Sequence, residues 1–194
     1  MRLFNRGRCT PKLDERGFTL TEMLVTMLIM ALASTLMATG IPTAMDTYKK
    51  TVNSANAQMA LSTTLTVLRS EYGASTKFER KDGVTYYQSD EDVFAAIGNP
   101  VEGETYRGLV KRYYLNTGSD ASPVFEPYGD GGSALAYPII SDATITEPLH
   151  VTVGQIEQQG DEVVVHELRV VDEATPPNIL AQIDEYRISV PFAE

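Results

Sequence analysis

An α+β fold is predicted for this chain: a long N-terminal helix, membrane-spanning in its first half, packed on a mostly antiparallel β-sheet. Three observations predict it. Residues 18–41, FTLTEMLVTMLIMALASTLMATGI, form a run of 24 residues with one charge, Glu22. Residues 46–72 contain neither Gly nor Pro and stop at Gly73. From there on, short β-branched and aromatic runs alternate with Gly, Asp and Pro turns. A chain of 194 residues that is 43% hydrophobic and 22% charged is too apolar for disorder, and its single cysteine excludes a disulfide scaffold.

The first element is basic. Residues 1–17 carry Arg2, Arg6, Arg8, Lys12 and Arg16 against Asp14 and Glu15, which leaves 11 cations against 24 acids, or −13, in residues 18–194. A helix needs about 20 apolar residues to cross a bilayer, so the run that follows is long enough. Cations concentrated before it favour one span with the N-terminus in the cytoplasm. A secretory signal core is shorter, ~7–15 residues, and only Met37-Ala38-Thr39-Gly40 follows where a small-residue cleavage site is needed. A plain signal anchor has no use for Glu22. A charge within a bilayer is costly and is usually paired or functional.

Arg16-Gly17-Phe18-Thr19-Leu20-Thr21-Glu22-Met23-Leu24-Val25 resembles the prepilin cleavage and methylation motif of type IV pilins and pseudopilins. Basic leader, terminal glycine, phenylalanine, carboxylate and apolar helix all occur at the family's spacing, over the first forty or so residues. The resemblance implies that a membrane prepilin peptidase cuts after Gly17 and that the new N-terminus, Phe18, is N-methylated. Glu22 becomes the fifth residue of the mature chain and the assembly residue, pairing with the Phe18 amine of a neighbouring subunit. An intrachain pair is the alternative, since the two are i,i+4 on a helix. The helix dipole also favours an acid in the first turn. Glycine at the cut lets the peptidase approach the backbone closely.

The division implied is 1–17 leader, 18–41 transmembrane and filament-core helix, and 42–194 exported pilin-like α+β domain. Cys9 falls in the leader, so the mature subunit has no cysteine, a departure from the disulfide-closed loop of many Gram-negative pilins.

Beyond the span, Gly40 and Pro42 are expected to interrupt the helix, because an interior proline removes a hydrogen bond. Ala57, Leu61, Leu65, Leu68 and Tyr72 make one apolar stripe, expected to pack on the sheet. Tyr48, Val52, Ala55 and Met59 make a second, expected to face filament neighbours. Gly73 reads as a C-cap.

Asp82-Gly83 between Lys77–Lys81 and Val84–Gln88 signals a hairpin. Ser89 is placed to cap a short helix over Asp90–Ile97. Strands are expected at Tyr106–Leu115, Leu135–Ile140, His150–Glu157, Val163–Val171 and Glu185–Val190, with a loop over Asn116–Gly132. Gln159-Gly160-Asp161 is a second hairpin turn.

No residue pattern points to catalysis: there is no G-x-S-x-G, Walker loop or dinucleotide fingerprint, and no enzyme or cofactor is expected. His150 and His166 read as strand residues, with no metal site. Asp120, Glu126 and Asp130 share a loop in which calcium is an open alternative, although their spacing matches no EF-hand. Tyr106, Arg107, Lys111, Arg112, Tyr113 and Tyr114 form the one basic-aromatic cluster, read as a solvated strand face. The charge of −13 opposes nucleic acid.

The function expected from the resemblance is a structural subunit of a type IV pilus or related filament, in the cytoplasmic membrane and then in a surface filament. Its partners would be the prepilin peptidase, copies of itself or other pilins, the membrane, and the assembly platform with its ATPase machinery. The alternatives are a pseudopilin of a type II secretion or DNA-uptake machine, or an anchored extracellular binding domain that never polymerises.

Overall fold

A computed structural model describes residues 19–90, 93–119, 122–129 and 133–190. Helix α1 spans Leu20–Gly73. Ten strands follow: β1 Phe78–Lys81, β2 Val84–Asp90, β3 Val93–Gly98, β4 Val110–Asn116, β5 Phe125–Pro127, β6 Ala136–Pro138, β7 Leu149–Thr152, β8 Gln155–Gln159, β9 Glu162–Asp172 and β10 Ile179–Ser189. The arrangement is α+β, a long helix followed by antiparallel sheets. The chain divides into two compact units, residues 1–48 and 49–194.

In the first unit, the described residues form helix from Leu20 onward. Gly40 and Pro42 do not interrupt it: Pro42 lies inside α1. A proline deletes one bond of the ladder, and the turns around it hold. Thr39 Oγ1 donates to Thr35 O (3.1 Å) and Thr43 Oγ1 to Thr39 O (2.9 Å), which keeps these hydroxyls satisfied within an apolar run.

In the second unit, α1 buries Ala57, Ala60, Leu61, Thr64, Leu68 and Tyr72 in one core with both sheets. The stripe read from the sequence is correct in direction but centred elsewhere. Leu65 is only partly buried, while small Ala60 and Thr64 let the sheets approach and are covered completely. Thr64 Oγ1 satisfies itself on Ala60 O at 2.8 Å. Tyr48 and Met59 of the second stripe are exposed, and Val52 is half-buried. Gly73 ends the helix without a left-handed backbone. Ser75 closes the last turn instead, its Oγ donating to Glu71 O at 2.8 Å.

One sheet runs β1-β2-β3-β4-β5, with β6 also on β4; the other runs β10-β9-β7, with β8 also on β9. Asp82 (φ 52°) and Gly83 (φ 79°) make the first hairpin, as the Asp-Gly pair demands. The helix expected over Asp90–Ile97 is strand β3. Phe94, Ala95, Ala96 and Ile97 are all buried, on both faces of a central strand. Such a continuous apolar run has no period to separate helix from strand. The expected loop over Asn116–Gly132 contains β5, and the strand expected at His150–Glu157 is two strands, β7 and β8.

That division has a cause. In β9 the shared core takes Val163 and Val165, then Leu168 and Val170, with Val164 buried outside it; in β10 it takes Leu180, Ala181 and Ile183, then Tyr186 and Ile188. Both strands switch face around Glu167, whose φ is 52°, and Gly154 lies against it. A Cβ on Gly154 would stand 3.0 Å from the Glu167 Cβ. Glu167→Gly should therefore change stability by less than about 0.5 kcal/mol, whereas Glu167→Val, β-branched in a left-handed position, should cost ~1–2 kcal/mol. Denaturant titration of the two variants side by side checks this.

The sheets are tied by side chains that imitate a backbone ladder. Asn99 Nδ2 donates to Val153 O (2.7 Å), and Val153 N donates back to Asn99 Oδ1 (2.8 Å). Thr85 Oγ1 donates to Ile156 O at 2.9 Å. Two buried side-chain polar atoms among the described residues, Arg169 Nε and Tyr72 OH, are unmatched. Tyr72 OH, in a fully buried ring 4.9 Å from that of Tyr87, has no hydrogen-bond partner. Burial first, and then the Glu71 charge, push its phenol up. Tyr72→Phe should stabilise the fold by about 1 kcal/mol, because it removes a desolvated hydroxyl and keeps the ring. Equilibrium unfolding measures it.

Candidate functional site

The site begins with the way α1 starts. Thr19 precedes the helix, and Glu22 N donates to Thr19 O (3.0 Å) and Thr19 Oγ1 (3.3 Å). Thr19 is thus the N-cap, three residues before Glu22. This is the Thr-x-x-Glu spacing of a capping box, a signal present in the sequence and passed over in favour of the charge alone. Thr26 Oγ1 donates to Glu22 O at 2.5 Å, so the turn around the acid is bonded through its backbone.

The Glu22 carboxylate is exposed and, among the described residues, accepts no hydrogen bond and joins no ion pair. Around and beyond it lie exposed Leu20 (82%), Met23, Leu24, Met27 and Leu28. The apolar surface continues to Leu36 (73% exposed) and Ile41, all round the helix. A helix apolar on every side has no aqueous solution to its surface. It is long and apolar enough to cross a membrane, and it anchors the chain there. At ~1.5 Å per residue, the stretch from Leu20 to Ile41 spans about 33 Å against a hydrocarbon core of ~30 Å. Gly17 and Phe18, the expected cleavage and methylation residues, lie outside the described residues. So does the expected Phe18–Glu22 pairing.

The other candidate clusters are spent on the fold. Consecutive residues of β4 alternate faces, which splits the basic-aromatic cluster. Lys111 Nζ sits 2.6 Å from Glu71 Oε2, above the rings of Tyr87 and Tyr113. Tyr87 OH donates to the same oxygen at 3.0 Å. Arg112 faces Glu104 at 2.6 Å, and Arg107 pairs with Glu147. Each cation of the cluster is thus matched by a carboxylate of the same chain, which leaves none to neutralise phosphate.

His150 is 3.1 Å from Glu173 and His166 is 3.3 Å from Glu157, in strands β7 and β9. Glu157 also holds Arg80 at 3.0 Å. Hydrogen bonding from Gln159 first, then His166 and Arg80, draws its carboxyl below the ordinary carboxylate range. Among the described residues no group of three or more His, Cys, Asp or Glu is placed to hold a metal. Of the loop acids, Glu126 lies exposed in β5, and Asp120 and Asp130 are outside the described residues.

Residues 12–38 match the family model described as the prokaryotic N-terminal methylation motif, the signal motif of type IV pilins and pseudopilins. No curated protein and no solved structure matches the chain. The motif's family is structural rather than enzymatic. The match covers the end of the basic segment from Lys12, the Thr19 cap, Glu22 and most of the apolar run.

Proposed function

We propose that this chain, which opens on the signal motif of type IV pilins and pseudopilins, is the precursor of a filament subunit. Prepilin peptidase would hydrolyse the Gly17–Phe18 bond, and the freed amine on Phe18 would be methylated. The leader would stay in the cytoplasm, and residues 42–194 would be carried outside on the span. The observation that carries this reading is the lone Glu22 carboxylate near the start of a helix whose first half is otherwise apolar and exposed. Such a helix needs an apolar surrounding, and such a carboxylate needs a cation there. A neighbouring subunit's Phe18 amine and apolar helix supply both. The assembled core would be a bundle of these helices, and the Lys49–Glu194 units would form its outer surface.

The mature N-terminus tests the proposal. Mass spectrometry of the chain from its own host should find a species beginning at N-methylated Phe18, with Cys9 lost in the leader. Gly17→Ala should accumulate as the 194-residue precursor, because a Cβ crowds the backbone at the scissile bond. An intact Met1 in the wild-type chain would instead make this a permanent anchor carrying an extracellular binding domain.

A further inference from the structure

Strand β10 closes one side of the four-stranded sheet, pairing with β9 and, among the described residues, with no other strand. From Ala181 to Ser189 it keeps one register against β9. Val190 N donates to Asp161 O at 3.0 Å, directly opposite, which sets the phase of the ladder. Ile188 and Tyr186 share that phase and bond inward to β9. Glu185, Arg187 and Ser189 therefore turn their N–H and C=O groups to the open edge.

Such a row is a template for another strand. Two of the usual safeguards, Pro and Lys, are absent from β10, and its one register shift lies at its start, between Ile179 and Ala181.

The charges along the edge select the strand that fits. Exposed Glu185 and Arg187 flank Tyr186, with Arg187 Nε 2.6 Å from Glu185 Oε1 and its Nη1 3.1 Å from Glu162 Oε2. Place a second β10 antiparallel with the two-fold axis through Tyr186. Each Glu185 then stands opposite an Arg187, twice, and both residues are in the backbone phase that bonds across the edge. An axis through Asp184, Glu185 or Arg187 would set that charge against itself. Like charges directly opposite destabilise a pair and opposite charges stabilise it, so of these registers the pattern favours the one about Tyr186.

We propose that β10 is a homophilic docking strand, joining the Lys49–Glu194 units of two copies of this chain into one continuous antiparallel sheet about Tyr186. The axis of such a pair lies along the sheet normal. The contact uses β10 alone and no residue of the helix segment that carries Glu22, and it stands whether or not the filament reading holds.

The test is self-association of the full chain in detergent, followed by sedimentation. The parent should dimerise. Glu185→Arg and Arg187→Glu each set like charges opposite one another twice, and each should weaken dimerisation roughly tenfold or more. The double variant Glu185→Arg/Arg187→Glu rebuilds both pairs with their signs exchanged and should dimerise again. Thermal melts of the Lys49–Glu194 fold within the same samples separate unfolding from loss of contact. A monomeric parent, a dimer indifferent to both single changes, or a double variant that stays monomeric would each overturn the proposal.

Discussion

Glu22→Ala should yield a subunit that is inserted and processed yet absent from sheared filaments. The substitution removes the one charge of the apolar run, so insertion into the bilayer is unharmed or eased. Gly17 and the basic leader are untouched, so cleavage continues. The Thr19 cap also remains, because it reaches the backbone N–H of residue 22 rather than its side chain. On the proposed pairing, what is lost is the partner of the Phe18 amine in the filament core. Leaving one half of a buried ion pair uncompensated costs ~3–5 kcal/mol, and the loss recurs with every subunit added. Immunoblots of membrane and sheared fractions measure the outcome. Wild-type amounts of the variant in filaments would sink the pairing mechanism.

Leu68→Ala should cost ~2–5 kcal/mol, as a large-to-small change in a closed core. Leu68 is fully buried between the helix and the sheets, in the same core as Tyr72, Tyr87 and Leu168. Leu65, one turn earlier on the same stripe, is only partly buried, and its truncation should cost clearly less. The comparison is made on residues 46–194 produced without the span, by denaturant titration with the slope checked for constancy. Equal losses at the two positions would mean that the helix packs with Leu65 inward.

The two stability variants in the fold, at Tyr72 and Glu167, test different kinds of local cost. Tyr72 carries a hydroxyl that the core does not satisfy, and Glu167 occupies a backbone conformation that its side chain disfavours. Each is a local defect tolerated because its surroundings over-determine it.

How much was legible from the residues alone differs by element. The span, its lone acid and the α+β order were readable because each rests on a local property: apolar length, charge, or turn chemistry. Asp82-Gly83 and Gln159-Gly160-Asp161 marked their hairpins for the same reason. The Thr19 cap was equally local and was overlooked beside the stronger signal of Glu22.

Strand β3 was misread as a helix because a strand buried on both faces has no period. The break between β7 and β8 was invisible because it arises from Gly154 meeting Glu167, 13 residues on, across the sheet. Likewise, nothing in the spacing of β4 says that Lys111 spends its charge on Glu71, a residue of the helix 40 positions earlier.

Composition along the chain is enough to decide that it enters a membrane, where its charge changes sign, and that helix precedes sheet, since these depend on transfer free energies and backbone preferences of neighbouring residues. Which face of α1 is buried, where the strands switch sides, which cations are neutralised and which strand edge stays open depend on contacts between distant residues. Those contacts exist only once the core closes, because burial and cross-strand pairing are properties of the packed whole.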